Sequence, residues 1–128
     1  MIVGLVACGK AKRPTPCAAQ DLYTGSLFVM QKRYVQKHCA TWAILSAKHG
    51  LLDPKQVVAP YDTTLAGMSK AARDTWASRV RNQLTARYPG GVFVVTAGAL
   101  YCTCLAGLPH HEPLKGLSMG RRMQALQL

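Results

Sequence analysis

Three loops that follow predicted strands contain the residues best placed to contact a ligand. Residues 8–10 (Cys-Gly-Lys), 46–50 (Ser-Ala-Lys-His-Gly) and 96–98 (Thr-Ala-Gly) are small or glycine-bearing, so a ligand can approach their backbone amides. Ligands of open parallel sheets bind beyond the carboxyl ends of the strands. Two of the loops also supply a lysine, Lys10 and Lys48, so we expect the working site here. Ordinary turn chemistry explains such small residues equally well.

Asp62 is the carboxylate best placed for hydrolytic chemistry. The chain has only five acidic residues, and Asp62 stands beside Tyr61 in an irregular segment after the second predicted strand. A loop covering the site is expected there, and a carboxylate in it would orient a water molecule or stabilise positive charge on a sugar. The alternative interpretation, an Asx turn capped with Thr64, has equal weight.

Other motifs for chemistry are weaker. Cys8 follows a predicted strand and would be a nucleophile if its pKa were low, but a small thiol that fills space is the preferred interpretation. Cys102 and Cys104, even with His110 and His111 nearby, lack the paired spacing of a zinc site, so we expect no metal. Neither GxxxxGK[ST] nor GxGxxG occurs in the sequence, which gives no support for an ATP or dinucleotide site, and we expect no cofactor.

The hydrophobic pattern predicts strands that alternate with helices. Continuous apolar residues at 1–7, 41–45 and 91–95 are typical of buried parallel strands. Predicted helices cover 27–39, 69–88, 100–105 and 119–127. The alternation predicts one α/β domain over residues 1–128, with three layers and a mainly parallel central sheet that carries helices on both faces.

Details of two of these helices are also predicted. Ser26 is the expected N-cap of the first helix, and Ser69 opens the long helix. One apolar stripe of the first helix is expected to face the core, and this stripe consists of Leu27, Met30, Tyr34 and His38.

Charge is the most informative bulk property of the chain. Sixteen Lys and Arg residues against five Asp and Glu residues give a net charge of +11. Such an imbalance predicts attraction to polyanions, above all nucleic acid. The alternatives are a generally cationic protein and a partner of an acidic protein. Because the basic residues are spread through the predicted elements, a histone-like terminal arm is not indicated.

Cysteine usage and hydropathy bear on the compartment. Five scattered cysteines, an odd number, favour reduced thiols and a cytoplasmic protein over a disulfide scaffold. The longest apolar runs are strand-sized and far shorter than the ~20 residues of a membrane span, so no membrane association is expected.

Several sequence blocks resemble those of an uncharacterised family common in phages and actinobacteria. They read Cys-x-Lys-x-Lys, Tyr-Thr-Gly-Ser-Leu-Phe, Leu-Ser-Ala-Lys-x-Gly-Leu and Pro-Tyr-Asp, and two further blocks close the chain. The blocks lie at residues 6–12, 21–28, 44–52, 60–65, 97–101 and 113–122. In the first block, Ala7 and Gly9 replace two serines that are usual in the family.

The order of these blocks is also distantly similar to a domain of archaeosine synthase, which is related to the uracil-DNA glycosylase fold. The same distant similarity extends to the peroxide-stress DNA-binding protein family. The resemblance implies a uracil-DNA glycosylase-like sheet and a site that grips a base, free or flipped from a strand.

The resemblance also implies roles for individual residues. Asp62 would stabilise the positive charge that develops on the sugar, and His49 and Lys48 would be donors near the leaving base. Substrate-binding residues would be Cys8, Gly9, Lys10, Tyr23, Ser46, Tyr61, Gly98 and Tyr101. Backbone phosphates would be held by Lys12, Arg13, Lys115, Arg121 and Arg122.

Three classes of function remain open from the sequence. The leading hypothesis is a base-processing enzyme, most simply a DNA glycosylase that removes a modified or damaged base and takes part in DNA repair. The alternatives are a non-catalytic DNA-binding protein of stress or phage biology, and a base-modifying transferase or nucleotide hydrolase. DNA is preferred to RNA as the partner, and a homodimer is left open because the domain is short for a base-flipping enzyme.

Overall fold

A computed structural model describes residues 1–127. The strands are β1 (Ile2–Ala7), β2 (Cys17–Ala18), β3 (Thr41–Ser46), β4 (Gly50–Leu52), β5 (Val57–Val58), β6 (Val92–Val95) and β7 (His110–His111). The α-helices are α1 (Ala19–Leu22), α2 (Ser26–His38), α3 (Lys70–Arg87), α4 (Ala99–Cys102) and α5 (Met119–Leu126), and a 3₁₀ helix spans Thr103–Leu105.

The central sheet has five strands in the order β4-β3-β1-β6-β7. Strand β1 pairs in parallel with β3 and β6, β6 pairs in parallel with β7, and only β4 runs antiparallel, at the edge beside β3. The chain leaves β1 towards β3 on one side and later returns to β6 on the other. The carboxyl ends of β1 and β6 therefore flank a topological switch point, where open α/β sheets form their ligand sites.

Alternate residues of the strands fill two separate cores, one on each face of the sheet. Val3 and Leu5 of β1 pack on the α3 side, whereas Val6 packs on the α2 side. Gly4 permits the close approach of α2, because a Cβ there would lie only 2.5 Å from the Cβ of Val35. The expected α/β fold, with a mostly parallel sheet flanked by helices, is confirmed.

The predicted elements agree with the structure except at their ends, in the short strands, in the unpredicted helix α1 and over 100–105, where one predicted helix is α4 followed by the 3₁₀ helix. Ser69 is the N-cap of α3, and its side chain accepts a hydrogen bond from the Ala72 amide. The predicted N-cap of α2 is wrong, because Gly25 occupies that position and Ser26 is the first helical residue. Four short strands were not predicted, since β2, β5 and β7 have two residues each and β4 has three.

The predicted core face of α2 is also wrong. The residues of α2 that are buried are Phe28, Gln31 and Val35. The stripe one position earlier is half-buried at Met30 and Tyr34 and borders a groove between α2 and α5. Apolar residues occupy adjacent positions along α2 and so form two overlapping stripes. The stripe that is buried contains the polar Gln31, and it is therefore the less apolar of the two.

No helix within residues 1–127 is both long enough and apolar enough to cross a membrane.

Candidate nucleic-acid site at the ends of the central strands

A cavity of about 690 Å³ opens at the switch point between β1 and β6. It is lined by residues 7–11 at the end of β1, residues 25–28 and Gln31 of the α2 region, Thr96 and Gly98 after β6, Tyr101 of α4, and Met119 and Arg122 of α5. We call it the switch-point cavity. Its volume lies within the ~300–1,000 Å³ typical of small-molecule and cofactor sites.

The first turn of α2 contributes backbone donors to the switch-point cavity. Helix α2 begins after Gly25, and no side chain caps its N-terminus. The first amides of a helix lack intrahelical acceptors and lie at the positive end of the helix dipole. Lys10 and Arg122 add positive charge to the same lining. The cavity therefore favours a ligand that is rich in hydrogen-bond acceptors.

Gln31 and Thr96 supply the buried polar groups of the cavity. The two residues are 4% and 2% exposed, and the Thr96 hydroxyl lies 2.9 Å from Gln31 Oε1. Gln31 Oε1 also accepts a hydrogen bond of 3.2 Å from the Ala7 amide. These contacts tie α2 to the ends of both β1 and β6.

Tyr101 and Cys8 also line the cavity and contact each other. The Cys8 thiol is 3.3 Å from the Tyr101 hydroxyl, and both side chains are half-buried. Burial, followed by the neighbouring Cys8, raises the pKa of Tyr101. Tyr101 is therefore a neutral phenol at physiological pH that can exchange a hydrogen bond and present a ring edge or face to a ligand.

A second group of polar residues lies beside the cavity, between the carboxyl ends of β1 and β3. The Tyr61 hydroxyl is 2.5 Å from the Tyr23 hydroxyl and 2.6 Å from Ser46 Oγ. Ser46 Oγ also accepts the His49 amide at 3.1 Å. We call Tyr23, Ser46 and Tyr61 the hydroxyl cluster. All three residues are less than a tenth exposed.

The hydroxyl cluster is uncharged at physiological pH. Burial raises the pKa of Tyr23 to about 12, and burial also raises that of Tyr61. Because each hydroxyl has a partner within the cluster, these groups stabilise the arrangement of the loops and offer no ionised nucleophile.

Basic side chains cover the hydroxyl cluster. Lys12 Nζ lies 4.5 Å from the centre of the Tyr61 ring, and Lys48 Nζ lies 6.0 Å from it. The His49 ring packs edge-on against Tyr61 at 5.2 Å. Burial lowers the pKa of His49, and the charges of Lys48 and Arg79 lower it further. His49 is thus a neutral imidazole at pH 7, able to donate or accept a hydrogen bond.

The predicted site residues divide between these two places. Cys8, Gly9, Lys10, Gly98, Tyr101 and Arg122 line the switch-point cavity. Tyr23, Ser46 and Tyr61 form the hydroxyl cluster, with Lys12, Lys48 and His49 against it.

The remaining predicted residues lie at the surface. Asp62 is exposed although its neighbour Tyr61 is buried, and it is not among the residues of 1–127 that line the switch-point cavity. Arg13 donates from Nε to the Asp21 carbonyl at 2.8 Å, which joins the loop after β1 to α1. Lys115 and Arg121 are exposed.

Comparison with known proteins identifies the family of the chain. Residues 3–128 match the family described as a family of unknown function, DUF6884. The chain belongs to this family. The match covers nearly the whole sequence, so the switch-point cavity and the hydroxyl cluster both lie within the family domain.

One relative of the DUF6884 chain is the uncharacterized protein YfjM of Bacillus subtilis (strain 168), which is 37% identical over 67 residues. The match covers 47% of this chain and 45% of YfjM. The chain thus matches less than half the length of that relative.

Sequence reasoning missed Gln31, which with Thr96 of the predicted 96–98 loop forms the buried polar pair of the cavity. Gln31 is in phase with Phe28 and Val35, at spacings of three and four residues, and this phase was the available signal. A polar residue in a buried helical stripe needs a specific partner. Here the partners come from the ends of β1 and β6, which no local pattern specifies.

Proposed function

We propose that the protein is a nucleic-acid base-processing enzyme that holds a nucleotide in the switch-point cavity and hydrolyses its N-glycosidic bond, as a DNA glycosylase does. The observation that carries the proposal is the donor-rich cavity at the ends of β1 and β6. Its lining combines Lys10, Arg122, the uncapped amides of α2 and the aromatic ring of Tyr101. Lys10, Arg122 and the α2 amides would contact phosphates, and the Tyr101 ring would contact a base.

The charge of the chain supports nucleic acid as the partner. At +11, the protein attracts polyanions at long range, and much of the charge lies on exposed helix positions such as Arg33. These outer charges hold a strand without selecting a base. Selection belongs to the cavity, where one unstacked nucleotide contacts Cys8, Gly98 and Tyr101.

In the proposed reaction, the bond between C1′ of the sugar and the base nitrogen breaks, and the oxygen of a water molecule bonds to C1′. Asp62 stabilises the positive charge that develops on the sugar and takes the proton released by the water. The leaving base takes a proton from a lysine ammonium group, either Lys10 at the rim of the cavity or Lys48 beside it, while the neutral His49 donates a hydrogen bond to the base. The exposed segment around Asp62 would lie over the sugar of a nucleotide whose base enters the cavity.

The resemblance of the sequence blocks to an archaeosine synthase domain supports the same class of chemistry. We further propose that the sheet is uracil-DNA glycosylase-like. The parallel strands in the order β3-β1-β6-β7, with a ligand site at the switch point, are compatible with such a fold.

A non-catalytic DNA-binding role is the second candidate, and one observation favours it. Among the described residues that line the switch-point cavity there is no carboxylate, and Asp62 is exposed. A binding protein needs the donors of the cavity but has no need of a carboxylate near the sugar.

The two candidates are separated by scoring abasic sites. Oligonucleotides that carry modified or damaged bases, single- and double-stranded, are incubated with the protein, and alkali-labile strand breaks are counted. Asp62→Asn is expected to slow cleavage by about 100-fold or more, as loss of a general base does. Asp53→Asn is the matched control, because Asp53 is exposed in a turn, where its Oδ1 accepts the Lys55 amide, and does not line the switch-point cavity.

The outcomes lead to different conclusions. Cleavage that depends on Asp62 but not on Asp53 supports the glycosylase. Binding without cleavage of any substrate contradicts it and favours the DNA-binding protein. Full cleavage by Asp62→Asn shows that another group performs the step assigned to this residue.

A further inference from the structure

The Gln31 carboxamide is a buried polar group at the inner wall of the switch-point cavity. The residue is 4% exposed, which is unusual for a glutamine in the middle of a helix. It lines the cavity together with Ala7 and Thr96, which are its hydrogen-bond partners.

The orientation of this carboxamide is fixed by its partners. The Ala7 amide can only donate, so the atom of Gln31 that faces it at 3.2 Å must be the oxygen. The Thr96 hydroxyl lies 2.9 Å from the same oxygen and 3.2 Å from the Leu5 carbonyl oxygen, so the Ala7 amide is the contact that decides the orientation. The amino group Nε2 therefore points away from both strands, and the carboxamide cannot flip without placing two donors against each other.

Nε2 is the free donor of this residue. None of the hydrogen bonds among residues 1–127 uses it, and no unpartnered side-chain nitrogen or oxygen in this part of the chain is sealed from solvent. Nε2 thus retains access to the switch-point cavity that Gln31 lines. A nearly buried donor that is held rigidly towards a cavity is suited to a ligand acceptor.

We propose that Gln31 determines specificity in the cavity by donating a hydrogen bond from Nε2 to an exocyclic carbonyl oxygen of the bound base. The inference rests on the proposed function, since it requires a nucleotide in the cavity. It adds the substrate class, which is a base with an exocyclic oxo group, such as a 6-oxopurine or a 4-oxopyrimidine.

Discrimination follows from the fixed orientation of the carboxamide. A base with an amino group at the same position would place its N–H donors against Nε2, and both groups would lose a hydrogen bond. A rotatable side chain would turn its oxygen to such a base, but the Ala7 amide, which can only donate, holds the oxygen of Gln31. Sites built around a hydrogen bond reject analogues that lack its partner far more strongly than apolar pockets do.

The test uses pentanucleotides in which one central nucleotide is flanked on both sides by abasic units. The central base is uracil or cytosine in one pair and hypoxanthine or adenine in the other, so that the number of phosphates stays constant. We expect the uracil and hypoxanthine strands to bind at least about tenfold more tightly than their amino counterparts. Fluorescence anisotropy measures the affinities.

Gln31→Glu retains an oxygen for the Ala7 amide but replaces the Nε2 donor. It is expected to reduce the preference for oxo bases to less than about twofold. Gln36→Glu makes the same chemical change at an exposed position of α2 and should leave the preference intact. Thermal unfolding of both variants checks that they are folded.

A measurement on the unchanged protein covers the case in which Gln31→Glu does not fold. The side-chain NH₂ resonance of Gln31 should shift when the uracil pentanucleotide binds, and it should not shift with a fully abasic pentanucleotide. An unchanged resonance would overturn the role of Gln31.

The outcomes also separate this inference from the proposed function. Equal affinity for oxo and amino bases, with weaker binding of the fully abasic strand, overturns the inference but leaves the proposed nucleotide site intact. Retention of the oxo preference by Gln31→Glu overturns it as well. Failure of every strand to bind overturns both the inference and the proposed nucleotide site.

Discussion

Polar groups lie on both sides of the carboxyl end of β1, next to β3 and next to β6, but the two groups differ in whether their hydrogen-bond partners belong to the protein. On the β3 side, the hydroxyls of Tyr23, Ser46 and Tyr61 bond to one another and are buried. On the β6 side, the groups around the switch-point cavity include donors that face the cavity, such as Nε2 of Gln31 and the first amides of α2. A network that satisfies itself stabilises a fold, whereas donors without protein partners are available to a ligand.

This difference separates residues that hold the site from residues that contact the substrate. The hydroxyl cluster fixes the loops after β1 and β3, because Tyr23 and Tyr61 lie in the segments that cover these strand ends. The hydroxyl cluster thereby holds in place the loops that give the switch-point cavity its shape. Substitutions on the two sides are expected to affect different measurements.

The largest effect on stability is expected for Tyr61→Phe. Removal of the hydroxyl leaves the Tyr23 hydroxyl and Ser46 Oγ without their shared partner, which should lower the free energy of unfolding by about 1–3 kcal/mol. Urea denaturation measures the change. Tyr34→Phe is the control, since Tyr34 is half-buried and lies outside the hydroxyl cluster. Unchanged stability together with lost nucleic-acid binding would reverse the roles given to the two regions.

A smaller effect, on affinity rather than stability, is expected for Lys10→Glu. Lys10 is exposed at the rim of the switch-point cavity, so its charge reversal should weaken binding of single-stranded DNA by about tenfold and reduce the salt dependence by about one phosphate contact. Binding titrations at several salt concentrations measure both. Lys55→Glu carries the same charge change at an exposed turn outside the cavity. An equal loss in both variants would mean that binding depends on net charge alone.

The smallest effect is expected from the titration of His49. Burial, followed by the charges of Lys48 and Arg79, holds the folded-state pKa of His49 below its usual value. The unfolded chain therefore binds more protons than the folded protein when the pH falls below about 6.5, so the free energy of unfolding should decrease in that range. His49→Gln should flatten this decrease in the free energy of unfolding. Urea denaturation at a series of pH values from about 5 to about 8 measures the change. His111→Gln, at an exposed position, should retain the decrease, and a retained decrease in His49→Gln would contradict the assignment.

The sequence was sufficient for the larger elements of the fold. The apolar runs of β1, β3 and β6 and the capped start of α3 are local patterns, and their bounds agree with the structure to within one or two residues. The buried face of α2 was not predictable in the same way. Its position depends on Gly4, where the missing side chain lets Val35 approach β1, and this is a contact between distant residues.

For the candidate site, the sequence located the loops but could not sort their roles. Lys10 and Gly98 follow strands and line the cavity, as the rule for parallel sheets predicts. Ser46, the last residue of β3, obeys the same rule, yet its hydroxyl contacts that of Tyr61 in the hydroxyl cluster. These residues all lie at strand ends, and only their three-dimensional partners show which of them can contact a ligand. The catalytic role of Asp62 stays a prediction.

The most direct test of the central claim is an NMR titration of the isotope-labelled protein with the uracil pentanucleotide. If the switch-point cavity is the nucleotide site, the backbone amides of Gly9, Lys10, Leu27 and Gly98 should shift together and saturate together. Shifts confined to outer helix positions such as Arg33 and Arg73, with the cavity amides unchanged, would contradict the account.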